Sequence, residues 1–143
     1  RAMFKKNQYV GWSEHEQWFS RLLDREDMAL YIGTLDDQRI GNVRFDLRAK
    51  EVFEISINLD PRFRGRGLGS RMLSKAIAAF SYSTRVVKLF AMAKKCNPSS
   101  IKTFALVGMP VVSEISPLAW ERGFDPVAEV YMECLRQRTA TGM

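Results

Sequence analysis

Three arginines and three glycines fall between Arg62 and Gly69 in the run Arg62-Phe63-Arg64-Gly65-Arg66-Gly67-Leu68-Gly69-Ser70. Glycine lets backbone N–H groups approach an anion closely, and guanidinium groups add charge and directed donors. Ahead of the run, the alternation of Val52 to Leu59 predicts a strand; behind it, Gly69 to Phe80 predicts a helix. A helix N-terminus contributes unpaired donors and a partial positive charge, so strand, glycine turn and helix together form a phosphate cradle. Spacing separates the kinds of cradle. A Walker loop needs a glycine five residues after Gly65, where Ser70 stands, followed by Arg71. A dinucleotide fingerprint needs its third glycine at Ser70 or Met72. What remains is R-x-x-G-x-G over Arg64 to Gly69. A basic surface turn would carry the same glycines, so the flanking elements must decide.

The strand before the loop has a second chemical feature. Phe53, Ile55, Ile57 and Leu59 form one face and Glu54, Ser56 and Asn58 the other. On an edge strand the polar face would meet water. In a sheet covered on both sides it must line a cavity, because buried polar groups without partners are costly.

The elements that would position these residues are legible along the chain. Ser13-Glu-His-Glu16 reads as a capping box, opening a helix whose apolar face carries Trp18, Phe19, Leu22 and Leu23. Met28 to Thr34 and Ile40 to Leu47 read as antiparallel strands joined by a turn at Leu35 to Gln38. The helix from Gly69 places Leu68, Met72, Ala76 and Phe80 on one side, with Leu73 and Ile77 adjoining, and Val86 to Ala93 is a further strand. Gly108 and Pro110 interrupt helical periodicity after Phe104, so Ala105 to Leu118 reads as an inserted loop, either a lid on the acceptor pocket or simply a tolerated insertion.

Composition narrows the classes. The 143 residues make one domain, 1–143, and 46% hydrophobic with 27% charged content is ordinary for a globular protein. No apolar run nears the roughly 18 residues that a membrane span requires, and no signal peptide is evident, so a cytoplasmic protein without a membrane partner is expected. Cys96, Cys134 and the single His15 are too few for a zinc site, so no metal is expected. The net charge of +6 favours anionic partners, while the scattered basic residues argue against nucleic acid.

The loop resembles the acyl-CoA pyrophosphate loop of the GCN5-related N-acetyltransferases, the GNAT superfamily. Glu54 to Pro61 resembles that family's fourth strand, Asn97 to Phe104 its N-x-x-[AS] helix start, and Trp120-Glu-Arg-Gly-Phe124 the segment leading into its sixth strand. These pieces stand in the family's order and span roughly Arg39 to Cys134. The resemblance implies an α/β fold, with a mixed, mostly antiparallel twisted sheet, splayed where CoA enters, and helices on both faces. It implies acetyl-CoA as co-substrate and a small primary amine as acceptor. Backbone groups from Ile57 to Leu59 would pair with the pantetheine arm. Amides of Arg64, Gly65, Arg66, Gly67, Leu68, Gly69 and Ser70 would hold the pyrophosphate, and an N–H near Ile57 or Asn58 the oxyanion. Asn97 would hydrogen-bond the pantetheine, or serve as a plain helix cap. Glu54 is the candidate general base, acting through a water, unless it pairs with Arg44 across the sheet. Glu51 and His15 are weaker candidates.

Two departures qualify the resemblance. Many members carry a Tyr where this chain has Phe104, which cannot donate a proton, so Tyr131 or water substitutes, unless the thiolate leaves without an acid. In the family a first strand and helix would normally precede a segment such as Arg1 to Gly11, so their absence implies a truncated start or a divergent entry to the sheet. The Arg-x-Met-Phe start, Glu14-His15 and Trp18-Phe19 resemble the branch acetylating nucleotide-linked amino sugars, with Arg1, Lys5 and Lys6 available to grip a diphosphate. Protein N-termini, other small amines and a catalytically silent CoA-binding module are the alternatives, and a homodimer is compatible with each.

Overall fold

The computed structural model describes the backbone of residues 9–11, 17–25 and 27–136 and the side chains of 27–136. Its centre is a seven-stranded sheet in sequence order: β1 (Tyr9–Gly11), β2 (Gln17–Arg25), β3 (Met28–Leu35), β4 (Gln38–Ala49), β5 (Val52–Leu59), β6 (Lys88–Lys94) and β7 (Glu129–Leu135). Neighbours run antiparallel except β5 and β6, which are parallel and joined through α1 (Leu68–Ser83). Two further helices, α2 (Pro98–Leu106) and α3 (Pro117–Glu121), lie between β6 and β7.

Local chemistry accounts for the connections. Leu35 pairs with Gln38 across a two-residue turn, where Asp36 and Asp37 both take positive φ, 51° and 67°. Such turns match the twist of the strands they join, and Asp tolerates the left-handed region better than most residues.

Both faces of the sheet are covered. On one, α1 sets Met72, Leu73, Ala76, Ile77 and Phe80 against Tyr31, Phe45, Phe53 and Leu89, and Phe104 of α2 joins them. Phe80 stacks on Phe45 at 4.1 Å between ring centroids and meets Phe53 edge-on at 4.8 Å. On the other, Phe90 and Tyr131 pack with Ala119 and Phe124 from the α3 region. The alternating inward residues of β5 and the 3.6-residue stripe of α1 are those the sequence predicts. The mixed α/β sheet with helices on both faces is as expected.

Two expectations need correction. Gln17 to Arg25 is not a helix but strand β2, paired with β1 and with β3 from Leu35 to Met28. Trp18, Phe19, Leu22 and Leu23 fit a helical period, yet aromatic residues also favour strands, and backbone pairing to the β3 edge overrides the local pattern. The capping box at Ser13 to Glu16 lies outside the described residues. The Ala105 to Leu118 segment is not a detached lid. Met109 is fully buried, Val112 N–H donates to Tyr131 O (3.0 Å), and Glu133 N–H donates to Pro110 O (3.3 Å). The segment pairs along β7, because burying Met109 and satisfying backbone groups there outweigh a loose loop.

Candidate functional site

The parallel pair β5–β6 is short. Val52, Phe53 and Glu54 pair with Lys88, Leu89 and Phe90, and no pairing continues beyond them. On its other side β5 stays paired with β4 as far as Leu59, opposite Gly41. From Ile55 to Leu59, therefore, β5 presents one backbone edge without a strand partner, where a ligand can hydrogen-bond as a strand would.

At the open end of this splay stands the glycine loop. A 3₁₀ turn at Pro61–Phe63 is fixed by Asp60, whose carboxylate accepts from Arg62 N–H at 2.9 Å and from the Arg62 guanidinium. The Arg62 hydrogen bonds hold the Asp60 carboxyl below its ordinary range. Arg64 Nε donates to Leu59 O at 3.3 Å, and Arg62 and Arg66 each lie 5.4 Å from the Phe63 ring centroid. The arginines thus brace the turn.

The donors for an anion come from the backbone. Gly67 is the N-cap of α1 at φ 72° and supplies no side-chain cap, so the first amides of the helix have no side-chain acceptor there. Gly65 also has positive φ, 80°, and a methyl group built on either glycine would meet nothing within 4 Å. The glycines are needed for conformation, and the space in front of them is open. A cradle with uncapped N–H groups and a clear approach fits a pyrophosphate.

Loop and splay share one cleft. Ile57, Leu59, Arg64, Gly69 and Asn97, all predicted site residues, line a hollow of about 170 Å³. It joins a second of about 280 Å³, to which Gly65, Gly67 and Ser70 contribute. Asn97 caps α2, its Oδ1 accepting from Ser100 N–H at 3.2 Å, which leaves its NH₂ as the group for a ligand. Leu68 and Arg66, predicted for their backbone amides, send their side chains elsewhere, Leu68 into the core and Arg66 over Phe63. Ser99, Ser100, Lys102 and Thr103, on the α2 side of the cleft, were missed. Their signal was the Asn97-Pro98 start, which aims a second helix N-terminus at the same place.

Glu54 stands apart from this cleft. It is 6% exposed, and its Oε1 accepts from Arg48 Nε and Arg122 Nε, each at 2.9 Å. Arg44 pairs instead with Asp46, which faces Glu54 across the β4–β5 ladder. Neither hollow is lined by Glu54. Of the polar face predicted for β5, Asn58 reaches the cleft, Ser56 is exposed, and Glu54 is buried in an ion network. Glu51 sits at the far end of β5, its Oε2 2.8 Å from Arg85 Nε. His15, Arg1, Lys5 and Lys6 lie outside the described residues.

Tyr131 is badly placed to act as an acid. Burial and its neighbour Glu133 push its hydroxyl pKa up, and the hydroxyl donates to Glu133 Oε1 at 2.6 Å. Phe104 is buried in the core. Among the described residues no group of His, Cys, Asp or Glu is placed to hold a metal ion, and no helix is long and apolar enough to cross a membrane.

Comparison with known proteins agrees with this architecture. The family model described as Acetyltransferase (GNAT) family matches residues 2–109. An uncharacterized N-acetyltransferase of Methanocaldococcus jannaschii is 28% identical, over 73% of this chain and 47% of its own length. The chain thus spans about half of that relative. Among solved structures, the Campylobacter jejuni N-acetyltransferase PseH in complex with acetyl coenzyme A superposes with TM-score 0.59 at 17% identity, over 79% of this chain and 71% of that one. The ligand-free RimL ribosomal L7/L12 alpha-N-protein acetyltransferase gives TM-score 0.70 at 9% identity, over 92% and 96%.

Proposed function

The chain belongs to the acetyltransferase (GNAT) family, and on that premise we propose that it transfers an acetyl group from acetyl-CoA to a primary amine. One observation carries the reading: the β5 edge left unpaired beyond Glu54 runs directly into the uncapped, glycine-faced start of α1. That arrangement offers a strand-like partner for a pantetheine arm and a cluster of amides for its pyrophosphate.

Acetyl-CoA supplies an activated thioester, and the amine nitrogen gives up a proton while the released CoA thiolate gains one. The amides from Arg64 to Ser70 hold the diphosphate, and Ile57 and Leu59 align the arm through backbone hydrogen bonds. A backbone N–H near Ile57 or Asn58 stabilises the carbonyl oxygen as it gains negative charge. Asn97 steadies the arm from the α2 side. Glu54, closed in by two arginines, works as a positioning residue; the acceptor loses its proton to water. The thiolate is a good leaving group near neutral pH, so water also returns a proton to it without help from Tyr131.

The acceptor we favour is the amine of a nucleotide-linked amino sugar. This rests on the resemblance of the Glu14-His15 region and on the polar surface around Ser56 and Asn58, which can hydrogen-bond sugar hydroxyls. A peptide N-terminus is the second reading, favoured by the similarity in fold to an alpha-N-protein acetyltransferase. Steady-state kinetics with a nucleotide-linked amino sugar, the free amino sugar and a short peptide decide between them. The highest kcat/KM is expected for the nucleotide-linked sugar. A peptide turned over best would replace this acceptor, and no acetyl-CoA consumption with any amine would leave a CoA-binding module.

A further inference from the structure

On the face of the sheet opposite α1, five side chains form a chain of alternating charge: Arg44, Asp46, Arg48, Glu54 and Arg122. Arg44 Nε lies 2.9 Å from Asp46 Oδ2, and Arg48 Nη2 lies 4.0 Å from that oxygen. Arg48 Nε and Arg122 Nε each lie 2.9 Å from Glu54 Oε1. The acids are inside, their side chains 11% and 8% exposed, whereas Arg44 and Arg122 at the two ends are 51% and 45% exposed. Three cations against two anions leave a net charge of +1.

Burying two carboxylates opposite each other is unfavourable unless each is tightly paired, so the network has to be explained by what it holds. Each terminal arginine is fixed through Nε, while half of its side chain remains open to water. A guanidinium held in this way is a pre-oriented fork for an oxyanion, because its rotamer freedom has already been given up. The location adds to the argument. Glu54 is the last residue of β5 paired with β6, so the chain of charges sits where the splay begins. Arg44 lies opposite Ser56, the next exposed residue along the open stretch. Trp120, 48% exposed and set edge-on to Phe124, stands two residues from Arg122 and offers an aromatic face for a ring.

We propose that Arg44 and Arg122 each offer a contact to the anionic part of the acceptor, a phosphate or a carboxylate, on the face of the sheet opposite the CoA helices, with Asp46 and Glu54 positioning them. The inference rests on the acetyl-transfer reading and names the acceptor's chemistry: an amine joined to an anionic group, whose amine end reaches the splay beside Ser56 while its anion stays on the arginines.

The test compares the parent protein with Arg44→Gln, Arg122→Gln and the double variant. Acceptors are an amino sugar, the same sugar on a nucleoside diphosphate, and an amino acid with a side-chain carboxylate. The anionic acceptors should have KM at least ~10-fold below the uncharged one in the parent, and each substitution should raise their KM by ~10-fold, as expected for a charge-assisted hydrogen-bonding group. Acetyl-CoA affinity, read by calorimetry, should stay within about twofold, since the cradle lies elsewhere. Diphosphate favoured over carboxylate identifies phosphate as the natural group, and the reverse order identifies carboxylate. Equal KM for charged and uncharged acceptors, or unaltered KM in the double variant, would overturn the inference.

A binding assay separates its failure from failure of the enzymatic reading. Inorganic pyrophosphate and, separately, succinate are titrated into CoA-saturated protein, so that the glycine loop is already filled. Binding of either anion in the parent that is lost in the double variant supports the site even if no amine is turned over, and binding of neither in the parent refutes it. Should the Gln variants fail to fold, Arg44→Lys and Arg122→Lys keep the charge and remove the fork. A weaker affinity for the bound anion in those is expected, and an unchanged one counts against the proposal.

Discussion

The glycine loop and the charged chain on the opposite face are the two proposed anion sites, yet they are made of different material. The loop works with backbone amides and with the absence of side chains: open space before Gly65 and Gly67, positive φ at both, and an uncapped helix behind them. The charged chain works with side chains alone, drawn from β4, β5 and the end of α3, and it depends on burying two acids. A backbone cradle serves any ligand with the same diphosphate. A side-chain fork can be altered one residue at a time, which suits the half of the reaction where acceptors differ. On the proposed reading, acetyl-CoA meets main chain and the acceptor meets arginine.

The largest disturbance to the contrast should come from Gly41, which lies beside the end of β5, paired with Leu59. A methyl group there would stand 2.2 Å from Asn58 O, a backbone atom that cannot step aside alone. Gly41→Ala should lower stability by about 1–3 kcal/mol. It should also weaken acetyl-CoA binding more than acceptor binding, because the displaced residues, Asn58 and Leu59, line the cleft. Denaturant unfolding and calorimetry read the two effects, and an acceptor KM that moves alone would mean that the regions are not separable.

Glu54→Gln sharpens the comparison from the other side. Removing the charge loosens Arg48 and Arg122, so acceptor KM should rise by ~10-fold while the pH profile of kcat keeps its shape. A general base would behave otherwise, flattening the profile and lowering kcat by roughly 10²–10⁴-fold. The smallest effect belongs to Tyr131→Phe. Loss of the hydrogen bond to Glu133 should lower stability by about 1 kcal/mol, with kcat within about twofold of the parent. Because the Tyr131 pKa is raised in the folded protein, its contribution is complete below about pH 10 and falls away above it, a loss the Phe variant should not share. A kcat lowered tenfold or more would make Tyr131 the acid after all.

How much the sequence revealed follows the same division. The cradle occupies nine consecutive residues, so type, spacing and flanking periodicity were enough to find it. β5 and α1 were legible because alternation and a 3.6-residue stripe are local signals. The partners of Glu54 were not: Arg122 is 68 residues away in sequence, and only the fold brings it to β5. Arg44, opposite Ser56 and one step along β4, seemed the natural partner until the structure gave it to Asp46. β2 was misread because Trp18, Phe19, Leu22 and Leu23 satisfy a helical period, while what makes them a strand is hydrogen bonding to β3. The break at Gly108 and Pro110 was visible, but not that the following residues pair with β7.

The central claim, that the loop at the start of α1 carries the diphosphate of acetyl-CoA, is tested most directly by calorimetry of acetyl-CoA binding to the parent and to Gly67→Asp. Asp tolerates the positive φ at this position and has open space in front of it, so the fold should persist. Its carboxylate would stand where the anion approaches, and the affinity should fall by ~100-fold or more, about 2.8 kcal/mol. An affinity equal to the parent's, with the fold intact by circular dichroism, would contradict the account.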